Sequence, residues 1–370
     1  MKIWYDARML GFSGIGTQVQ HTLAELFQRT DPETVPVGNA ATVRKFFPEF
    51  EGRVVEFDDP IYSIREQIRF PSPEKGAFLH IPHYAAPVRL LPRSVVVVHD
   101  LIHLQSDEFA APHFRIYART LLNRVAAKAA AIVTVSNYTR DCLLERYPQA
   151  ADRTIVIHNG IDHSLFHPAS GKEMVQFRKR YDLPEQYMLC VGIGKRHKNV
   201  DFLIRALAPL WKNSGTSGKK AALTLPLVIG GTGRTLPDYV QQAINEAGVQ
   251  SHIIAMPRLE EQELRPLYSA ASCLLMPSLL EGFGFPVAEA MACGTPVLSS
   301  NRASLPEIGE NAALYFDPTD EEDLRAKLME LLQRPALADR MAMQGVKRAA
   351  RFTWEEHVDL LTAVYRRLAG

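Results

Sequence analysis

Two doubly wound α/β domains in tandem are the fold class that this sequence predicts, and three observations predict it. The chain has 370 residues, long for one domain and comfortable for two. Short apolar runs alternate with helical patterns through the first half: KIWY at 2–5, RVVEF at 53–57, AFLHI at 77–81, SVVVVH at 94–99, AIVTVS at 131–136 and TIVIH at 154–158. A second set repeats the rhythm: YMLCVGI at 187–193, LPLVIGG at 225–231, HIIAM at 252–256, SCLLM at 272–276, TPVLSS at 295–300 and ALYF at 313–316. Runs that are apolar on both faces and alternate with helices imply parallel sheets covered on both sides. Ligands of such sheets lie outside the carboxyl ends of the strands, here expected in the cleft between two of them.

Composition narrows the function classes. With 46% hydrophobic and 22% charged residues the chain reads as an ordinary soluble globular protein. A formal charge of +1 argues against wholesale nucleic-acid binding. No apolar run approaches the roughly 20 residues that span a bilayer. MKIWY leads straight to Asp6 and Arg8, so no signal-peptide core is expected. Cys142, Cys190, Cys273 and Cys293 lie far apart without C-x-x-C spacing, as buried thiols in a reducing cytoplasm would.

In chain order, GFSGIG at 11–16 follows the first strand and opens the helix TQVQHTLAELF. Glycines there let backbone approach a ligand, or simply make a tight turn. The loop lacks the third glycine of a nicotinamide fingerprint. VRKFF at 43–47 and IYSIREQIRF at 61–70 interleave basic with apolar residues, which suits an anionic lipid surface or a charged edge with buried rings. His99 and Asp100 stand at the carboxyl end of a fully apolar strand, where α/β proteins place functional side chains. Ser136 caps the next helix, and Asn159-Gly160 is a turn signal and an expected hinge.

In the second half CVGIGKRHKN leaves a strand through two glycines and presents Lys195, Arg196, His197 and Lys198. Such a charge cluster is either solvated or a source of fixed positive charge for an anionic group, and no acid cluster has metal-site spacing. KNSGTSGKK at 212–220 is a polar surface loop. The densest stretch is Met276 to Glu307. Within it Glu281 precedes Gly282-Phe283-Gly284-Phe285, Pro286 suits the first position of a helix, Glu289 sits in its first turns, and Gly294 ends it. A helix N-terminus with glycine-loop N–H groups favours a phosphate. The two acids suit the ribose and sugar hydroxyls on either side of a diphosphate. Near the end, Thr353 and Glu356 make a capping box that starts WEEHVDLLTAVYRRL.

EGFGFPVAEAMACGTPV resembles the E-x7-E signature of retaining glycosyltransferases of family 4, whose fold is GT-B. The likeness runs from DARMLGFSGIGTQVQ to RFTWEEH. It implies an acceptor-side domain over 1–170 with a last helix, about 353–370, crossing back to it, and a nucleotide-sugar domain over 171–352. It also implies that Gly14, Ile15 and Gly16 face the donor diphosphate and that the residue matching His99 contacts the donor sugar. Lys198 matches the family's phosphate lysine, whereas Arg196 stands one place out of register because His197 fills the usual arginine position. Backbone at Arg258 and Leu259 frames the nucleobase, Glu289 holds the ribose and Glu281 the sugar hydroxyls. N–H groups of 283–285 and the helix from Pro286 assist.

The expected activity is metal-independent transfer of a hexose to a hydroxyl of a glycan or lipid-linked acceptor in polysaccharide or lipopolysaccharide assembly, with mannose from GDP-mannose as the first choice of donor. No cofactor is expected. A UDP-sugar donor is the alternative, and so is a nucleotide-sugar hydrolase or phosphorylase on the same fold. A non-enzymatic nucleotide-sugar binder fits the full residue set least. Relatives that build lipid-linked glycans sit on the membrane through the first domain, which implies a cytoplasmic protein peripheral on the inner face of the cytoplasmic membrane.

Overall fold

The computed structural model describes residues 1–105, 112–212, 225–231, 233 and 235–370. The polar loop expected at 212–220 lies, beyond Lys212, outside them. Two all-parallel sheets organise the chain. The first contains β1 (Lys2–Asp6), β2 (Glu33–Gly38), β3 (Val55–Glu56), β4 (Phe78–Ile81), β5 (Ser94–Val98), β6 (Ala131–Thr134) and β7 (Thr154–Val156), in the order β3-β2-β1-β4-β5-β6-β7. The second contains β8 (Met188–Val191), β9 (Leu227–Gly230), β10 (Ile253–Ala255), β11 (Cys273–Met276), β12 (Val297–Ser300) and β13 (Ala313–Phe316), in the order β10-β9-β8-β11-β12-β13.

Both orders reverse at one place. The chain builds outward from β1 to β3 and returns beside β1 with β4; it builds from β8 to β10 and returns beside β8 with β11. At such a reversal neighbouring loops diverge to opposite faces and leave a crevice at the carboxyl ends of the strands. The pairs β1/β4 and β8/β11 therefore locate the two places where these sheets can receive a ligand.

One strand escapes the sequence pattern. β2 reads ETVPVG, polar at its start and carrying Pro36, which argues against a strand interior. It is tolerated because β2 pairs with β3 only at Val37 and Gly38, so at Pro36 it has a neighbour on the β1 side alone. The first helix, Ser13–Phe27, fills the core with Val19, Leu23 and Leu26 against Tyr5. In the second sheet Leu203, Leu207 and Trp211 of the helix Val200–Lys212 bury against strand residues such as Leu227, Ile229 and Leu275.

Two compact units result, Met1–Gly160 with Phe352–Gly370, and Ile161–Arg351. The division falls at 160/161 where the sequence suggested 170/171. The reason is local: Phe166 is buried with its ring 6.1 Å from Tyr268, and the Ala169 N–H donates to Ser269 Oγ at 3.0 Å, so 161–170 packs with the second unit.

The last helix, Trp354–Ala369, completes the first unit. Thr353 Oγ1 accepts the Glu356 N–H at 3.1 Å to start it. Val358 enters the core beside Leu23, and Tyr365 OH meets His80 Nδ1 at 2.8 Å. His357 donates from Nδ1 to the His158 carbonyl at 2.7 Å, so His158 holds this helix through its backbone. Asn159-Gly160, expected as a hinge, closes the first stretch of the first unit and packs within it. Asn159 is buried and accepts from Gln18 Nε2 at 2.9 Å, and a Cβ on Gly160 would lie 2.4 Å from Trp354 N. Close approach of backbone, not a turn, demands glycine there.

Candidate active site

In the second unit the loops after β8 and β11 meet at the reversal point. The first, Gly192 to Asn199, turns through Gly192 (φ +72°) and ends on Asn199 (φ +58°), a left-handed position that asparagine tolerates. Asn199 Nδ2 donates to the carbonyls of Pro277 (3.2 Å) and Pro318 (2.9 Å), and the Leu279 N–H donates to the His197 carbonyl at 2.8 Å. Three loops are thereby laced together around the preceding residue, Lys198. Its ammonium lies 2.6 Å from Glu281 Oε1, with side-chain exposures of 18% and 10%.

The Glu281 loop is held from behind by Ser304, fully buried, whose Oγ lies 3.1 Å from the Glu281 carbonyl and 2.9 Å from that of Phe283. Phe283 is buried, with its ring 5.2 Å from that of Phe285, and Gly282 is half-buried. Gly284 (φ +106°) caps the helix Phe285–Ala292, and a Cβ there would lie 2.8 Å from Leu305 Cδ2, so both conformation and space require glycine. The helix begins one residue earlier than expected, with Pro286 in its second position. Its first turn offers fewer donors than its length suggests, since Pro286 has no N–H and the Val287 N–H turns back to the Gly284 carbonyl. At its far end Gly294 (φ +74°) closes a Schellman turn, with the Thr295 N–H on the Ala290 carbonyl and the Gly294 N–H on that of Met291.

Glu289 stands in the second turn, and Tyr268 OH donates to its Oε2 at 2.6 Å. Burial pushes the Glu289 carboxyl up to about 7; Tyr268 and the Lys198 charge pull it down and Glu261 adds to the rise. Arg196 is exposed, its guanidinium 5.4 Å from the Tyr239 ring, and Tyr239 OH donates to the Ile193 carbonyl at 2.7 Å. His197 takes the buried position and Arg196 is turned onto Tyr239. Arg258 is exposed and Leu259 half-buried in the loop after β10; the Arg258 N lies 3.9 Å from where a Gly233 Cβ would be, so the loops after β9 and β10 run side by side.

The first unit has its own polar centre at the β1/β4 reversal. Asp6 ends β1, and Arg8 reaches its Oδ2 at 2.6 Å and Glu66 Oε1 at 2.5 Å, while His83 Nε2 lies 3.2 Å from Asp6 Oδ2. Burial by itself would raise the Asp6 carboxyl, but Arg8 and His83 hold it well below the usual range. Burial keeps that of Glu66 raised in spite of Arg8. Asp6, Glu66 and His83 bring ligand-type atoms within 4.8 Å of one another, yet Arg8 already bridges the two carboxylates, which suits an ion-pair network rather than a cation cage.

His99 follows β5, with Nε2 2.9 Å from the Pro82 carbonyl. A carbonyl only accepts, so the proton is on Nε2 and Nδ1 is the acceptor nitrogen. Burial pushes His99 down to about 4, so it is neutral above that. Gly14 is exposed, Ile15 half-buried and Gly16 buried in the opening turns of the helix Ser13–Phe27. A Cβ on Gly16 would lie 2.6 Å from the Met9 carbonyl oxygen, so that glycine serves the turn itself. Of the two basic segments, 43–47 tucks its rings inward, Phe47 lying 5.1 Å from Phe27, whereas Ile64 and Ile68 are 76% and 70% exposed.

Sequence reasoning assigned no role to Asp6, Arg8, Glu66, His83, Tyr268 or Ser304. Asp6 and Arg8 carried a signal, standing directly after the first strand; Tyr268, 21 residues before the carboxylate it holds, carried none.

Two family models match the chain, Glycosyltransferase Family 4 over residues 72–165 and Glycosyl transferases group 1 over residues 172–348. O-antigen chain mannosyltransferase B of Escherichia coli is 29% identical over 284 residues, 76% of this chain and 72% of that protein. D-inositol 3-phosphate glycosyltransferase of Thermomonospora curvata is 31% identical over 231 residues, 60% of this chain and 53% of that protein. Among solved structures, Anabaena Alr3699/HepE in complex with UDP and glucose superposes with a TM-score of 0.75 at 16% identity, covering 99% of this chain and 100% of that one. That likeness shows the fold alone, which is GT-B.

Proposed function

The chain belongs to the group 1, family 4 glycosyltransferases, and from that membership we propose that it is a retaining hexosyltransferase using GDP-mannose. The acceptor is a hydroxyl of a glycan or lipid-linked glycan in polysaccharide or lipopolysaccharide assembly. Mannose is supported by the relation to O-antigen chain mannosyltransferase B. The observation that carries the transfer reading is the Lys198–Glu281 pair at 2.6 Å at the β8/β11 reversal, the point where a doubly wound sheet receives its ligand.

Each residue then has a task set by its chemistry. The Glu289 carboxylate accepts from the ribose hydroxyls, and Glu281 from those of the sugar. As the bond from the anomeric carbon to the diphosphate oxygen breaks, negative charge grows on that oxygen, and Lys198 with the N–H groups of 283–285 stabilises it. The acceptor oxygen attacks the same face and its proton passes to the leaving phosphate oxygen, which preserves the anomeric configuration without a metal. In the first unit His99, neutral with Nδ1 accepting, takes a sugar hydroxyl.

Incubation with GDP-mannose or UDP-glucose, with and without a glycan acceptor, tests the reading. Acceptor-dependent release of GDP and an α-linked product, unchanged by chelator, is expected. Equal release without acceptor makes the protein a hydrolase, and dependence on phosphate a phosphorylase. Turnover of UDP-glucose alone replaces the donor. Peripheral contact with an anionic membrane belongs to the same reading. It is supported by exposed Ile64 and Ile68 beside exposed Arg65 and Arg69 on the helix Ile64–Arg69. Failure to sediment with anionic vesicles removes that part.

A further inference from the structure

We propose that Tyr268 is a positioning residue for the nucleotide: its hydroxyl fixes the Glu289 carboxylate by Oε2 and leaves Oε1 to accept from the ribose. The inference deepens the function proposed above and rests on its assignment of Glu289 to the ribose.

The geometry restrains the phenol at both ends. Its OH lies 2.6 Å from Glu289 Oε2, and its own carbonyl accepts from Thr295 Oγ1 at 2.8 Å. Thr295 is in turn tied to the C-terminal end of the Glu289 helix, its N–H on the Ala290 carbonyl at 2.9 Å. Tyr268 is 2% exposed and lies edge-on to Phe166, so the ring has no room to swing away. A phenol donates a single hydrogen, so it engages one carboxylate oxygen and sets the plane of the other. A ribose offers two adjacent hydroxyls, and a carboxylate already turned to meet them loses less freedom on binding.

Electrostatics point the same way. Four groups face Glu289: Tyr268 and Glu261 from the helix Glu261–Ser269, Lys198 from the loop after β8, and Cys293 beyond its own helix, whose thiol burial pushes up to about 12. With Glu289 at about 7, its two forms balance near neutrality. A hydrogen bond donated to a carboxylate favours the ionised form. Tyr268 and Lys198 are thus the two groups that keep Glu289 able to accept, against burial and Glu261.

Calorimetric titration of GDP and UDP onto the wild-type protein, Tyr268→Phe and Glu289→Gln between about pH 6 and pH 9 tests this. The nucleotide's own titration is common to all three proteins. Tyr268→Phe is expected to bind about tenfold more weakly near pH 6.5 and within about threefold of wild type near pH 9, the signature of an acceptor whose proton is held one unit more tightly. Affinity equal to wild type at every pH overturns the proposal. So does a loss of about tenfold that persists unchanged to about pH 9, because lost orientation accounts for only about threefold and a packing defect gives the rest. Glu289→Gln is expected to bind weakly, with no difference between the ends of the range beyond the nucleotide's own. Normal affinity in that variant sinks the ribose assignment itself, whatever Tyr268→Phe shows.

Discussion

Lys198 Nζ and Glu281 Oε1 lie 2.6 Å apart, so the ammonium assigned to the departing diphosphate and the carboxylate assigned to the sugar neutralise each other. An ammonium has three hydrogens, and the pair uses one. On the assignment proposed above, a donor joins this pair instead of displacing it, and each side chain holds the other ready.

Lys198→Ala is expected to lower kcat by about 10²–10³ while keeping much of the donor affinity, because charge on the diphosphate is greatest in the transition state. It also strands a mostly buried carboxylate, at a cost of about 1–3 kcal/mol in stability. Adding Glu281→Ala should recover part of that stability and none of the activity. Lys195→Ala, at an exposed position, should change little. Steady-state kinetics with denaturant melts check all four statements, and a near-normal kcat in Lys198→Ala removes this residue from the mechanism.

Glu289 gives a trade of stability for binding. Its folded value of about 7 lies above the ordinary carboxylate value, so its favourable contribution is complete below the unfolded value and is lost as pH rises through about 7. Glu289→Gln should consequently be more stable than wild type above pH 7, by on the order of 2 kcal/mol, and bind free nucleotide more weakly by about 2–3 kcal/mol. Glu281→Ala should mainly lower turnover. Urea melts at pH 6 and 8 alongside calorimetry would expose an error in either half.

Acid should unfold the first unit early. Burial pushes His80 to about 3, and His99 and His357 to about 4. The unfolded chain takes up these protons near pH 6.5 and the folded unit does not, so stability present above that value falls as pH drops from about 6.5 through 4. Trp4 and Trp354 report on this unit and Trp211 on the other. Melts of a Trp211→Phe protein at pH 7.5, 6 and 5 should show the decline; a flat profile contradicts it.

Two glycines should respond oppositely to the same change. Gly160→Ala sets a methyl 2.4 Å from Trp354 N and 2.6 Å from the Thr353 carbonyl carbon, backbone atoms that yield little, and should cost about 3 kcal/mol or more. Gly171→Ala meets nothing within 4 Å, opens the helix Gly171–Tyr181, and should stabilise by about 0.5 kcal/mol. Thermal melts of the pair decide.

How far the sequence revealed this molecule follows from what is local. Strands buried on both faces announced themselves as apolar runs, and only β2, polar at its start and interrupted by Pro36, did not. Glu281, Gly284 and Glu289 were legible because one loop and one helix carry them. Tyr268, Ser304 and the Asp6–Arg8–Glu66–His83 network were not, since each depends on which strands lie side by side, and strand order leaves no mark on spacing. The unit boundary slipped because Phe166 and Ala169 choose their side by tertiary contacts. The Asn159-Gly160 pair has the composition of a turn and the surroundings of a packed seam.

The first unit is written in two pieces, its opening 160 residues and the segment Phe352–Gly370. A ribosome makes the helix that covers Tyr5, Val19 and Leu23 only after the whole of Ile161–Arg351 has been produced. At typical bacterial and eukaryotic elongation rates that delay is roughly 10–40 s. Throughout it the nascent first unit shows an uncovered apolar groove, while the second, contiguous in sequence, can close as soon as it emerges. The unit begun second is thus the first able to finish folding, and a stop codon within 352–370 would damage the half of the molecule that was begun first.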